Sequence, residues 1–161
     1  MDLKELIMTI TETKDFKRIA ELNAHVQNLH AKLYPEIFKP FNRIEIEKAL
    51  ENFLADPNCY CYLIELNKVD IGSAVFFVKE AKENAFHYAI RTLYIDQISV
   101  MPEYQRTGAG KLLMLKAEQL AIEHSINKIE LDHWSANTVA ASYFRKNGYK
   151  LYRERLFKLV G

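Results

Sequence analysis

Tyr94-Ile95-Asp96-Gln97-Ile98-Ser99-Val100-Met101-Pro102-Glu103-Tyr104-Gln105-Arg106-Thr107-Gly108-Ala109-Gly110-Lys111-Leu112 carries the strongest local signal in this chain of 161 residues. Its first seven residues are apolar and partly β-branched, which reads as a strand. Pro102 has no amide donor and ends it. Leu112, Leu113, Leu115 and Leu120 then recur at helical spacing among good helix formers as far as Ala121. Between the two lies a basic loop containing Gly108 and Gly110. A helix start presents unpaired N–H groups, and its dipole favours an anion by roughly 0.3–1 kcal/mol. Glycine lets a ligand approach the backbone without a Cβ in the way. With Arg106 and Lys111 alongside, the unit predicts a phosphate or diphosphate site. The P-loop pattern fails, because Lys111 is followed by Leu112 and no glycine stands at the required distance upstream. The G-x-G-x-x-G fingerprint also fails, because Leu113 holds its third glycine position. Taken alone, G-x-G before a helix leaves a plain tight turn as the other reading.

The remaining composition narrows the field. The length suits one domain spanning 1–161, and a chain of this size buries roughly 70% of its unfolded surface without staples. A formal net charge of +1 argues against nucleic-acid binding driven by bulk charge. No run approaches the ~20 apolar residues of a membrane span, and Met1-Asp2-Leu3-Lys4-Glu5 does not read as a signal peptide. Cys59 and Cys61 have neither a usual zinc nor a usual redox spacing and read as structural thiols in a reducing cytoplasm. His25 and His30 are five apart, which is not the i, i+4 spacing of a metal pair, so no metal is expected.

Along the chain, Leu6 to Ile10 reads as a short strand. Asp15 is placed to cap a helix with an apolar stripe of Phe16, Ile19, Leu22, Val26 and Leu29. Tyr34-Pro35-Glu36-Ile37-Phe38-Lys39-Pro40-Phe41 breaks that helix as a stiff apolar loop, either a packed crossover or one wall of a substrate pocket. Asn42 caps a second helix to about Leu54. Cys59 to Leu66 and Ile71 to Lys79 form a hairpin, and a third strand begins near Tyr88 and runs into the central motif. After the central helix, Lys128 to Trp134 is a strand that can lie parallel to its predecessor. Asn137 caps a helix through Asn147, stopped by Gly148. Tyr149 to Val160 reads as a final amphipathic strand. The expected fold is α+β in three layers, a mixed and mostly antiparallel sheet flanked by helices, in the order β-α-α-β-β-β-α-β-α-β.

Val100-x-Pro102-x-x-Gln105-x-x-Gly108-x-Gly110, flanked by strand and helix, resembles the acetyl-CoA motif of the GNAT superfamily of N-acetyltransferases, and the element order is similar to that fold over nearly the whole chain. The resemblance implies acetyl-CoA as co-substrate. It implies that Ile98, Ser99 and Val100 face pantetheine and the acetyl carbonyl, with a backbone N–H near Ile98 for the oxyanion. Gln105, Arg106, Thr107, Gly108, Ala109, Gly110 and Lys111 would hold the diphosphate. Asn137-x-x-Ala140…Tyr143-Phe144…Gly148-Tyr149 is similar to the family's last-helix pattern, which implies CoA contacts at Asn137 and Ala140. A helix cap is the plainer reading of Asn137. The family's thiolate-protonating tyrosine position holds Phe144, with Tyr143 one residue early, about 100° around the helix. Tyr143 is therefore either a core residue or the general acid and a cofactor contact.

An acceptor amine of pKa about 10.4 needs roughly 4–5 kcal/mol to lose its proton at pH 7, a task for a carboxylate or a water it holds. Asp96 is the candidate. Aspartate is disfavoured in strands, and a period of two puts Asp96 on one face with Ile98 and Val100. The segment Tyr94 to Val100 resembles that of family members acting on small polyamines, which carry an acid at this position. A solvent-facing or hydrogen-bonded sheet carboxylate is the alternative. Glu130 and Asp132 are lesser candidates. Tyr34, Phe38, Asp96 and Trp134 are expected to bind the acceptor. The reading is a cytoplasmic N-acetyltransferase acting by direct transfer to a primary amine of a small molecule or peptide, with a homodimer implied only as a habit of the family it resembles. Its rivals are a non-catalytic acyl-CoA sensor and a modifier of proteins or peptides.

Overall fold

A computed structural model describes residues 7–161. Strand β1 spans Met8–Glu12, shifted along from the expected strand, whose Leu6 lies outside the described residues. Helices α1 (Phe16–Leu33) and α2 (Arg43–Ala55) follow, then strands β2 (Cys59–Leu66), β3 (Val69–Ala81) and β4 (Ile90–Val100). A short 3-10 turn, Pro102–Tyr104, leads to α3 (Ala109–Glu123), β5 (Ile129–Leu131) and α4 (Thr138–Lys146). The helix starts are where capping chemistry puts them. Asp15 Oδ1 accepts from the amides of Lys17 and Arg18 at 3.2 Å, and Asn42 Oδ1 from Glu45 at 3.2 Å. The β2–β3 turn places Asn67 and Lys68 at φ 51° and 68°, the paired left-handed conformations of a two-residue hairpin.

The sheet order is β1-β2-β3-β4-β5. The first four strands pair antiparallel in sequence: β2, β3 and β4 follow one another without intervening helices, and β1 joins β2 across α1 and α2. Crossover through α3 makes β5 parallel to β4. Two cores result. One face of the sheet packs Tyr62, Ile64, Phe76, Leu93 and Ile95 against Leu113, Ala117 and Leu120 of α3 and Phe144 of α4. The other packs Cys59, Cys61, Leu63 and Val75 against Ile19 and Leu22 of α1 and Leu50 of α2. Cys59 and Cys61 are free and buried, with sulfurs 3.9 Å apart.

Three expectations are corrected. The strand at Lys128 to Trp134 shrinks to Ile129–Leu131, because its only ladder partner is Leu93 to Ile95. The final strand, Tyr149 to Val160, is absent. Tyr149 donates its amide to Phe144 O at 3.1 Å and packs on Phe144, but no later residue joins a backbone ladder. A strand exists only where another backbone satisfies its donors, and this tail meets none. The third correction is a bulge in β4, described next.

Candidate active site

The site begins where β4 loses its neighbour. The ladder to β3 runs from Ile90 to Val100, but the ladder to β5 covers only Leu93, Tyr94 and Ile95. Backbone groups of residues 96–100 that point away from β3 therefore have no backbone partner among the described residues. They line the gap into which β5 does not extend. Ile98, Ser99 and Val100 are all half-buried along this edge. Gln105 Nε2 donates to Val100 O at 3.3 Å, so one carbonyl is bridged by the loop's own side chain.

The register shifts between Val75 and Phe76: Val75 faces Gln97, while Phe76 faces Ile95. Asp96 is the extra residue of a β-bulge, which breaks the period of two. Ile95, Ile98 and Val100 consequently share the α3 face, and Gln97 turns to the α1 face, where Asn23 Nδ2 donates to Gln97 Oε1 at 3.1 Å. Asp96 acts electrostatically on Cys59 and Cys61, which lie on that same α1 face. The expected common face for Asp96, Ile98 and Val100 is thus corrected, because the bulge separates the carboxylate from the pantetheine-facing positions. Burial pushes the Asp96 carboxyl up, against a hydrogen bond with Gln97 and the charge of Lys79. The residue as a whole still reaches solvent. An exposed carboxylate whose pKa its surroundings raise is suited to proton abstraction.

Around it lies a polar set of which the sequence points only to Asp132, as a lesser candidate; Tyr94, Lys79 and Asn23 escape it. Tyr94 Oη donates to Asp132 Oδ2 at 2.9 Å, and Lys79 Nζ lies 3.3 Å from the centre of the Tyr94 ring. Burial, then the Asp132 contact, raises the Tyr94 hydroxyl well above its ordinary value. Asn23, a polar residue inside the apolar stripe of α1, was the available signal. Glu130 is engaged elsewhere, paired with Lys128 at 2.8 Å and accepting from Tyr152 Oη at 2.7 Å.

The aromatic residues named for the acceptor side come together. Tyr34 ends α1, and its Oη accepts from the Ala136 amide at 2.9 Å and lies 3.2 Å from Ser135 Oγ. The Trp134 ring sits 4.8 Å from Tyr34 and 4.9 Å, edge-on, from Phe38. The loop after α1 is thereby stitched to the loop after β5. Trp134 keeps 38% of its surface exposed.

At the other end, Arg106 (φ 64°) and Gly108 (φ 93°) both adopt the left-handed conformation, curling the loop so that α3 starts at Ala109. No side chain caps this start, and its first turn holds no acid. Arg106 and Lys111 are exposed and make no ion pair among the described residues. Thr107 Oγ1 donates to Tyr104 O at 2.6 Å. Tyr143 Oη is buried without a hydrogen-bond partner, and a Cβ on Gly110 would lie 3.1 Å from it. Gly110 is small because this hydroxyl packs on it. Burial raises the Tyr143 pKa, which keeps the phenol protonated. Phe144 is instead part of the core, stacked 6.4 Å from His133. Asn137 Oδ1 accepts from the Ala140 amide at 3.2 Å, the helix-cap reading, while its Nδ2 has no partner among the described residues. Uncapped amides, unpaired cations and an orphan hydroxyl together fit a diphosphate-bearing thioester. Among the described residues, no group of three or more His, Cys, Asp or Glu could hold a metal, and no helix is long and apolar enough to cross a membrane.

Residues 23–149 match the model of the acetyltransferase (GNAT) family. The BH1408 protein of Bacillus halodurans, in a tetramutant form, has a similar fold, with TM-score 0.88 and 17% identity over 94% of this chain and 99% of that one. An aminoglycoside 6'-N-acetyltransferase, AAC(6')-IG of Acinetobacter haemolyticus, superposes with TM-score 0.73 and 15% identity over 95% and 98%. The aminoglycoside N-acetyltransferase AAC(6')-Iy, solved in complex with CoA, does so with TM-score 0.71 and 16% identity over 99% of each chain. With the family model covering most of its length, this chain belongs to the GNAT family of acetyltransferases.

Proposed function

We propose that the protein transfers the acetyl group of acetyl-CoA directly to a primary amine of a small molecule. The observation that carries this is the succession, along one strand, of a carboxylate of raised pKa at the bulge, an open backbone edge and an uncapped helix start. When bound, acetyl-CoA supplies an activated acyl group with a thiolate leaving group. The amides around Gly108 and the charges of Arg106 and Lys111 bind its diphosphate. The free edge of Ile98 to Val100 orients the pantetheine arm and offers an N–H to the oxygen that gains charge. Asp96 takes the proton of the acceptor ammonium, directly or through water. Tyr143 offers a protonated hydroxyl to the cofactor and is the candidate proton donor. Asn137 Nδ2 adds a further donor. Tyr34, Phe38 and Trp134 wall the acceptor side, and aromatic faces together with Asp96 favour a cationic amine. The likeness to aminoglycoside acetyltransferases, whose acceptors are small amines, supports the same class.

A thiol-release assay over a panel of polyamines, aminoglycosides, amino acids and peptides tests this, with mass spectrometry of the N-acetylated product. Turnover of at least one small amine is expected. CoA binding without thiol release on any amine would favour the sensor reading, and turnover confined to peptides would favour a protein modifier.

A further inference from the structure

One cation beside Asp96 belongs to the chain itself. Lys79 stands on β3 opposite Thr92, two residues beyond Phe77, which faces Tyr94. Val78, Leu93 and Ile95 enter the core under α3, so alternation puts Lys79 and Tyr94 on the opposite face of the sheet. There the Lys79 ammonium lies over the Tyr94 ring, 3.3 Å from its centre. The ring is anchored at its far end, where the hydroxyl donates to Asp132 Oδ2 at 2.9 Å. The same ammonium reaches Asp96 electrostatically, pulling its carboxyl down against burial. Tyr94 and Asp96 are two residues apart on one strand, roughly 7 Å at ~3.4 Å per residue.

The charges on this face add up to one negative. Glu80 is paired with Arg91 at 2.7 Å and Glu130 with Lys128 at 2.8 Å. Lys79, Asp96 and Asp132 make no ion pair among the described residues. Two carboxylates therefore stand against one resident ammonium, which leaves room for a single further cation. An aromatic face is a natural seat for a cation, and here that seat is already filled. We propose that Lys79 is a specificity-determining residue: its ammonium occupies the second cation seat beside Asp96, so the protein selects acceptors with one ammonium on an apolar or aromatic body and discriminates against short diamines. A monoamine brings the missing charge to Asp96 and leaves its body to Tyr34, Phe38 and Trp134. A diamine long enough to reach Tyr94 meets Lys79 there, and its second ammonium either sits beside a like charge or drives Lys79 off the ring. The inference rests on the acceptor role given to Asp96 above and concerns which amine fits.

Phenethylamine and diaminobutane separate the two cases. Each is compared by thiol release from acetyl-CoA and, independently of turnover, by calorimetric titration of the CoA-loaded protein. The parent should favour phenethylamine. Lys79→Met, similar in length but uncharged, should move the ratio of the two kcat/KM values, and of the two Kd values, roughly ten-fold toward the diamine, the size of one like-charge contact at a few ångströms near a surface. Both acceptors use the same base, so any change in Asp96 that follows the lost charge cancels in the ratio. Lys79→Arg keeps the charge and should keep the parent ratio. A parent that prefers the diamine, a ratio indifferent to Lys79→Met, or an equal shift in Lys79→Arg would each overturn the proposal. Thiol release from both amines at an indifferent ratio would do so while leaving the assigned reaction standing. A Lys79-dependent binding ratio without thiol release would support the proposal and overturn the reaction instead. Binding of neither amine would overturn both.

Discussion

Tyr143→Phe removes one oxygen from a site where its two roles have opposite signs. In the free protein the Tyr143 hydroxyl is buried and bonded to nothing. A buried polar group left unsatisfied costs about 1–3 kcal/mol, and phenylalanine keeps the ring and its contact with Phe144, 5.7 Å between centroids. The variant should therefore melt higher, by about 2–4 °C for each kcal/mol recovered in a domain of this size. With CoA bound, the balance reverses. Losing a hydrogen bond to a charged group costs about 1.5–3 kcal/mol, so CoA affinity measured by calorimetry should fall roughly 10- to 100-fold. Gly110→Ala supplies an internal control. Its Cβ would press on Tyr143 Oη at 3.1 Å, opposing the ~0.8–1 kcal/mol that alanine gains over glycine in a helix. In the Tyr143→Phe background that contact is gone, and the same substitution should stabilise. A variant that melts lower than its parent without ligand, and binds CoA equally well, would refute the argument, because the hydroxyl would then have a partner and no ligand role.

Other outcomes follow from the same geometry. Asp96→Asn should lower kcat by about 10²–10⁴ while leaving the KM for acetyl-CoA unchanged, and in the parent the acid limb of the rate profile should lie above that of an ordinary aspartate, because burial raises its pKa. For stability the sign is opposite. A carboxyl whose folded pKa is raised stabilises at acid pH and loses that contribution as pH climbs through the folded value, so Asp96→Asn should melt higher than its parent at neutral pH. Trp134→Ala, removing the ring packed on Tyr34 and Phe38, should raise the acceptor KM and spare that of acetyl-CoA in steady-state kinetics. Lys68→Gly should raise the melting temperature by a few degrees, because lysine at φ 68° carries roughly 1 kcal/mol of strain that glycine lacks; unchanged melting would mean that the hairpin turn tolerates lysine freely.

Much of the site was legible because its signals are local. Asp15, Asn42 and Asn137 cap helices by hydrogen bonds spanning two or three residues, and the loop from Gln105 to Lys111 carries its glycines and charges in one run. Tyr34, Phe38 and Trp134 were named from stiffness and placement, and the fold brings them together. Tyr143 and Phe144 show the limit of pattern: adjacent on one helix, they differ in fate because one meets Gly110 and the other enters the core.

Hydrophobic period, capping residues and turn chemistry therefore determined the elements through α4 and the glycine-containing loop before α3, since each depends on neighbours within a few positions. Tertiary structure alone decided where β4 bulges, how far β5 follows it, and whether the tail finds a partner. Those are matters of backbone pairing between distant segments. A strand's propensity is written in its own side chains, but its hydrogen bonds are completed only by another backbone.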